Sequence, residues 1–217
     1  MINYKRKEHY RVEDLVEIMS ILRGEGGCPW DREQTHESIR QNMLEEAYEA
    51  AEAIDLKNPE MLCEELGDVL LQVVFHARME QEKGGFTFDD VADGVCKKLI
   101  LRHPHIFGDV QVRDSDEVLK NWDAIKKVEK SQKTTTDTLR AVARSLPALI
   151  RAEKVQKKAE KAGFPVEYSD AENKIGEKLF EIVREARAAG VDPERALECA
   201  TDAFIESTHK LESERNV

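Results

Sequence analysis

Hydrophobic residues recur along most of this chain with the spacing of an α-helix. In residues 12–23 the apolar side chains fall three or four positions apart and predict one buried stripe: Val12, Leu15, Val16, Met19 and Leu22. The same period predicts further helices over 36–56, 59–82, 88–102, 115–130 and 138–161, followed by two more. We therefore expect an all-α protein built as a helical bundle.

Capping signals mark several of the predicted helix starts. Asn58 followed by Pro59 is typical of a cap and a first helical residue, and Thr87 with Asp90 forms a capping pair. Two further signals precede the last two helices: Ser169 with Glu172, and Asp192 with Pro193.

A polar segment divides the predicted helices into two groups. Residues 130–138, KSQKTTTDT, lack apolar periodicity and predict a linker. We expect a first helical unit over residues 10–130 and a second over residues 138–217.

The two units contain similar segments. ELGDVLLQVVFHAR (65–78) and KIGEKLFEIVREAR (174–187) align without a gap and match at five of fourteen positions. This likeness favours a duplicated helical unit over two unrelated amphipathic helices. Where the first copy has Glu65 and Asp68, the second has Lys174 and Glu177. We therefore expect the second unit to be degenerate, without the acidic signature of the first.

Composition and charge exclude several functions. The net charge is −11, so most of the surface repels nucleic acid and anionic membranes. No apolar run approaches the roughly 20 residues of a membrane-spanning helix. The four cysteines are scattered singly, which favours reduced thiols and a soluble, cytoplasmic protein over a disulfide framework or a zinc site.

Acidic side chains are concentrated in residues 44–68, which hold nine acids and one base. On a helix Glu46 and Glu49 share a face, and Glu65 and Asp68 share a face of the next helix. Two helices joined by a short loop pack antiparallel and can bring the two pairs together.

Such a charge run is often only a solvated face, but the apolar run that begins at Val69 indicates a buried helix beside these acids. Carboxylates close to a core need protons, partners or a cation, and a set of hard oxygen ligands suits Mg²⁺, with Mn²⁺ as a substitute. Because Mg²⁺ sites are commonly completed by substrate phosphates, this favours phosphate chemistry. Basic residues that could balance a polyphosphate include Lys98, Arg102 and Lys126.

Five ordered blocks resemble the MazG-type all-α nucleoside triphosphate pyrophosphohydrolases. Glu45-Glu46-x-x-Glu49 followed by Glu65-x-x-Asp68 is similar to their EExxE and ExxD pattern. The other four blocks are GGCPWDREQTHESI (26–39), KLILRHPHIFGD (98–109), NWDAIKKVEK (121–130) and SLPALIRAEKVQKKAEKAGF (145–164). Longer members of this family carry two complete units, whereas the second unit here lacks the acidic motif.

The resemblance implies a helical homodimer that hydrolyses nucleoside triphosphates, with Mg²⁺, to a monophosphate and pyrophosphate. By the same resemblance the metal ligands are Glu46, Glu49, Glu65 and Asp68. Glu45 or Glu49 is the candidate base that activates water. The resemblance implies nucleotide contacts for Asn42, Lys98, Arg102, Trp122 and Lys126. Trp30 is a second candidate for stacking on the base, the alternative being a loop anchor.

Two other interpretations remain open from the sequence. The first is a narrower enzyme that acts on particular deoxynucleotides or on phosphoribosyl-ATP. The second is a non-catalytic helical dimer that binds nucleotide or a protein partner, against which the intact acidic motif argues.

Overall fold

The computed structural model describes residues 4–129, 134–164 and 173–203, and within these ranges the protein contains helices and no strand. The expected all-α class is confirmed. Contacts divide the chain into two compact units, Met1–Gln111 and Val112–Val217. No helix in the described ranges is both long and apolar enough to cross a membrane.

The first unit contains six helices: α1 (Val12–Arg23), α2 (Pro29–Glu33), α3 (Arg40–Asp55), α4 (Pro59–Glu82), α5 (Phe88–Arg102) and α6 (Pro104–Phe107). The second unit contains α7 (Ser115–Glu129), α8 (Thr135–Arg140), α9 (Ala148–Lys161) and α10 (Lys174–Ala188), and residues 193–203 are also helical. We expected the boundary between the units at residues 130–138, but the contacts place it between residues 111 and 112, so α7 belongs to the second unit.

Three expectations about helices are corrected. The predicted helix over 138–161 is wrong, because it is interrupted between α8 and α9 and Pro147 caps the start of α9. The helix expected from residue 36 begins only at Arg40, since Thr35 and Ser38 exchange side-chain to backbone hydrogen bonds of 2.9 and 3.2 Å that form a turn instead. The linker expected over 130–138 is helical from Thr135 onward, and its residues 130–133 lie outside the described ranges.

Most of the predicted caps are confirmed. The Asn58 side chain accepts hydrogen bonds from the backbone of α4, and Thr87 and Asp90 form a reciprocal capping box on α5. The Asp192 carboxylate accepts from the backbone N–H of Glu194 at 2.9 Å. The cap predicted at 169–172 lies outside the described residues.

The core of the first unit surrounds the C-terminal half of α4. Met19 of α1 and Ile39 pack there against Val74, Phe75 and Met79, all five of which are buried. Since the core lies at this end of α4, the N-terminal half of the helix, where Glu65 and Asp68 lie, is only partly covered. The buried helix predicted after residue 68 is therefore confirmed for its second half.

A contact between two histidines connects the segment before α3 with α4. The Nδ1 atoms of His36 and His76 lie 2.7 Å apart, the two rings stack with their centroids at 5.0 Å, and His36 Nε2 lies 2.7 Å from the Glu80 carboxylate. Burial and the neighbouring His36 lower the pKa of His76, so this ring is neutral at pH 7. The contact holds the entry to α3 against the core side of α4.

A buried arginine links α1, α2 and α4. Arg23 donates hydrogen bonds to the Glu82 carboxylate at 2.8 and 3.0 Å and to the backbone carbonyls of Asp31 and Gln34. Its guanidinium also lies over the Phe75 ring, 5.4 Å from the centroid. Its side chain is only 7% exposed, so loss of its charge would leave buried acceptors without a donor.

We expect Arg23→Gln to lower the free energy of unfolding by about 2–3 kcal/mol, as measured by urea denaturation at pH 7. The hydrogen bond from Arg23 is the largest cause of the lowered pKa of Glu82. A lowered carboxylate pKa stabilises the fold above the unfolded pKa, and this contribution is lost as the pH falls through the folded value. The difference in the free energy of unfolding between the wild type and Arg23→Gln should therefore become smaller in acid. Arg32→Gln, an exposed change on α2, is the control; an equal effect of both changes would contradict this account.

In the second unit α9 packs against α10. Gln156 and Val183 are fully buried, and the Gln156 amide donates a 2.7 Å hydrogen bond to the carbonyl of Phe180. Arg187 donates to Gln156 at 3.3 Å and pairs with Glu160 at 2.6 Å. The segments expected to be duplicated, 65–78 and 174–187, are both helical, and the duplication itself stays a prediction.

Candidate metal centre

The turn between α3 and α4 is three residues long, and it caps the end of α3 and the start of α4. The N–H of Asn58 donates to the carbonyl of Ala53 at 3.0 Å, and the N–H of Lys57 donates to that of Ile54 at 3.1 Å. This is the pattern of a Schellman motif, in which the residue after the cap takes a positive φ, here Lys57 at 53°. With so short a connection, the two helices run antiparallel and pack along their length.

The register of this hairpin aligns the acidic residues. Glu49 lies six residues before the end of α3 at Asp55, and Glu65 lies six residues after the start of α4 at Pro59. Glu46 and Asp68 each lie nine residues from the same ends. In an antiparallel pair, residues equally far from the turn stand at the same level, so Glu49 faces Glu65 and Glu46 faces Asp68.

Three carboxylates converge at this level. Glu46, Glu49 and Glu65 each offer an oxygen that lies within 4.8 Å of the other two. Asp68, the fourth predicted ligand, is not in this set, but its charge is the largest Coulombic contribution at Glu46. Glu46, Glu65 and Asp68 are half-buried and Glu49 is exposed, so the cluster opens to solvent at Glu49.

The electrostatics reflect this crowding. Burial raises the pKa of Glu46, and the charges of Asp68 and Glu49 raise it further. Burial likewise raises the pKa of Glu65, with Glu49 as the largest neighbouring charge. Glu49 raises the pKa of both side chains, which places it beside both of them in the cluster. Without a cation, the cluster therefore favours protonation of its partly buried members.

The geometry fits a divalent cation of the size of Mg²⁺. Oxygens around an octahedral Mg²⁺ at about 2.1 Å are separated by about 3.0 Å when adjacent and about 4.2 Å when opposite. The three carboxylate oxygens lie within 4.8 Å of one another, a limit slightly wider than the largest of these separations. The donors are all carboxylate oxygens, the type that Mg²⁺ and Mn²⁺ prefer.

The raised pKa values predict how stability depends on pH in the metal-free protein. A folded pKa above the unfolded value favours folding once the group is protonated, so the repulsion is greatest at high pH and disappears as the pH falls through the raised values. We expect Glu46→Gln/Glu65→Gln to unfold at a higher temperature than the wild type at about pH 8, with the gap closing toward about pH 5. Calorimetry in EDTA measures the two unfolding temperatures. A difference between them that widens in acid would contradict the crowding of these carboxylates.

The other predicted residues of α3 occupy two different faces. Asn42 lies one turn before Glu46, on the same face as the cluster, and is half-buried. Glu45 is exposed, and its carboxylate accepts a hydrogen bond from Gln41 at 3.4 Å rather than joining the three clustered carboxylates.

The predicted cations of the first unit lie on α5, which packs against α4. Lys98 is exposed and Arg102, one turn later, is buried. Trp30 lies on α2 and is 58% exposed, which favours stacking on a ligand over a role as a loop anchor. Trp122 and Lys126 lie on α7 of the second unit, both half-buried, and their contact with a substrate stays a prediction.

Sequence reasoning gave no role to Gln72. It lies on α4 one turn after Asp68, is 7% exposed, and its Oε1 has no hydrogen-bond partner among the residues that the structure describes. The signal was available, because residues 65, 68 and 72 share one face of a helix. Gln72 interrupts an apolar run on the helix face that carries the acids, and this interruption could have identified it as a candidate site residue.

The sequence of this chain matches those of known proteins. The family model described as "MazG nucleotide pyrophosphohydrolase domain" matches residues 34–107, which include the cluster, Lys98 and Arg102. The nucleoside triphosphate pyrophosphohydrolase/pyrophosphatase MazG of Thermotoga maritima is 42% identical over 221 residues, covering 92% of this chain and 85% of that protein. The nucleoside triphosphate pyrophosphohydrolase of Escherichia coli K12 is 44% identical over 184 residues, covering 84% of this chain and 70% of that protein.

The helical hairpin and its carboxylates define a class of protein, an all-α protein with a candidate site for a divalent cation. Together with these relatives they show that the chain belongs to the MazG nucleotide pyrophosphohydrolase family and is an enzyme. The family resemblance seen in the sequence is confirmed.

Proposed function

We propose that this enzyme hydrolyses nucleoside triphosphates to a nucleoside monophosphate and pyrophosphate, with Mg²⁺ or Mn²⁺ as cofactor. The observation that carries the proposal is the convergence of Glu46, Glu49 and Glu65 within one 4.8 Å cluster. The relatives from Thermotoga maritima and Escherichia coli, named for this activity, support it.

In the proposed site the three clustered carboxylates hold the cation, and Asp68 completes or orients the set. When bound, Mg²⁺ supplies positive charge for phosphate oxygens and lowers the pKa of water. Glu49 or Glu45, both solvent-accessible, accepts a proton from the water molecule that attacks the α-phosphorus. The bond between the α- and β-phosphates breaks, and pyrophosphate leaves with the bridging oxygen.

The substrate's charge requires fixed cations, and the proposal gives this role to Lys98 and Arg102. Arg102 is buried and therefore limited to few rotamers, whereas Lys98 is exposed and can reach outward. Asn42 contacts the nucleotide from the face of α3 that carries Glu46. Trp30 stacks on the base, and the family resemblance gives nucleotide contacts to Trp122 and Lys126 as well.

We also propose that the chain acts as a cytoplasmic homodimer. Several large apolar side chains of the first unit are more than half exposed, including Ile54, Leu56, Ile100 and Leu101. A second copy that covered them would remove this surface from water. The four cysteines, all in described positions, are free, which fits a reducing compartment. Sedimentation equilibrium measures the oligomeric state, and a monomer would contradict the dimer.

Product analysis tests the activity. The pure protein is incubated with each of several nucleoside triphosphates in the presence of Mg²⁺, and the products are separated by anion-exchange chromatography. Monophosphate and pyrophosphate in equal amounts are expected. Diphosphate with orthophosphate would reject the proposed bond, and turnover confined to one deoxynucleotide or to phosphoribosyl-ATP would support a narrower enzyme instead.

A further inference from the structure

The second unit contains a cavity of about 690 Å³. Its walls come from α7, α8 and α9 and from the turn that joins α8 to α9, so all of its lining residues belong to this unit. Cavities that bind small molecules commonly measure about 300–1,000 Å³, so this one is large enough for a nucleotide-sized ligand.

The cavity is strongly basic in a chain whose net charge is −11. One carboxylate and five ammonium groups line it: Asp123, Lys126, Lys154, Lys157, Lys158 and Lys161. Lys161 pairs with Asp123 at 2.8 Å. Among the described residues, Lys126, Lys154 and Lys157 make no hydrogen bond or ion pair, so their charges are uncompensated.

Helix geometry concentrates these charges. Lys154, Lys157 and Lys161 are separated by three and four positions and share one face of α9, an arrangement that destabilises an isolated helix through like-charge repulsion. On a convex surface such lysines would simply be hydrated. Here they share a concave space with Lys126 of α7, so one multivalent anion can contact lysines from two helices.

The remaining walls suit a phosphorylated ligand with an apolar part. Three threonines of the α8 region, at positions 134, 135 and 138, supply hydroxyl groups. Ala141, Val142 and Leu146 supply apolar surface beside them. Hydroxyl and ammonium donors suit phosphate oxygens, and the apolar side chains suit a planar ring.

We propose that this cavity is a second anion site, which binds a nucleoside di- or triphosphate without using the acidic cluster of the first unit. Its size favours a single nucleotide. None of the cluster's carboxylates lines the cavity, and Lys126 is the one lining residue that the proposed function also gives to the substrate. Lys126, which the family resemblance links to substrate, is left unchanged in the variants that test it.

Calorimetric titration with ADP in EDTA tests the site, since without divalent cations the acidic cluster repels the ligand. We expect Lys154→Gln/Lys157→Gln to weaken the affinity by about 10- to 100-fold, because two charge-assisted contacts are lost. The matched control is Lys174→Gln/Lys178→Gln, which removes the same charge from exposed positions of α10 outside the cavity and should change the affinity by less than about threefold. Lys154→Arg/Lys157→Arg should retain binding.

Three results would overturn the proposal. The first is that the wild type fails to bind ADP in EDTA, and the second is that the Gln double variant binds as tightly as the wild type. The third is that Lys98→Gln abolishes binding, because the ligand would then lie at the proposed substrate site. Melting curves of each variant establish that it is folded, and equal melting temperatures with unequal affinities support the site.

Discussion

Replacing Glu46 with glutamine is expected to lower the rate of nucleoside triphosphate hydrolysis by about 10³-fold, because a ligand that stabilises the metal and the developing phosphate charge contributes several kcal/mol. Glutamine keeps the size of the side chain and removes its charge. Initial rates of pyrophosphate release at saturating Mg²⁺ measure the effect.

The control for this experiment lies on the same helix. Glu52→Gln removes an identical charge from an exposed position of α3 outside the cluster, and we expect it to retain nearly full activity. Because Glu46 is crowded by Asp68 and Glu49, the Glu46→Gln protein should be at least as stable as the wild type without metal. Loss of activity that accompanied unfolding, or equal loss in both variants, would contradict a role in holding the cation.

Removal of divalent cations is expected to abolish hydrolysis, and addition of Mg²⁺ or Mn²⁺ to restore it. The physical reason is that three carboxylates and a polyphosphate repel one another when no cation lies between them. The measurement is the rate of product formation after dialysis against EDTA and then after stepwise addition of each ion.

A parallel measurement of stability separates metal binding from catalysis. A ligand that binds only the folded state raises the melting temperature in proportion to the logarithm of its concentration above its Kd. Mg²⁺ should therefore raise the melting temperature of the wild type but not that of Glu46→Gln/Glu49→Gln/Glu65→Gln. Undiminished activity in EDTA, or equal stabilisation of both proteins, would argue against the site.

The clustering of the carboxylates could be predicted from the sequence because its geometry is local. The capping signal at Asn58 and Pro59 predicts the start of α4. The spacing of the acids predicts which of them share a helix face, and the short turn between α3 and α4 makes the two helices antiparallel. With the turn length known, Glu49 opposite Glu65 and Glu46 opposite Asp68 follow from counting residues.

Features that depend on tertiary contacts were harder to predict from the sequence. Continuous periodicity over 138–161 hid the break at Pro147, because apolar spacing on either side of a turn can stay in phase. The contact of His36 with His76 joins residues forty positions apart, and neither side chain has a local signature.

The lysine cavity illustrates the same difficulty. Lys154, Lys157 and Lys161 look in the sequence like the solvated face of an amphipathic helix. Only the placement of α7 and α8 beside α9 makes that face part of a concave surface and adds Lys126 to it. Concavity distinguishes a ligand site from a hydrated surface, and it cannot be read from spacing alone.

The most direct test of the metal centre is a crystal structure of the protein with Mn²⁺, in which anomalous scattering locates the ion without reference to activity. We expect an anomalous peak among the carboxylates of Glu46, Glu49 and Glu65, at the level where α3 faces α4. A crystal with Mn²⁺ present but no peak between these side chains, or with the ion bound only elsewhere on the chain, would contradict the assignment.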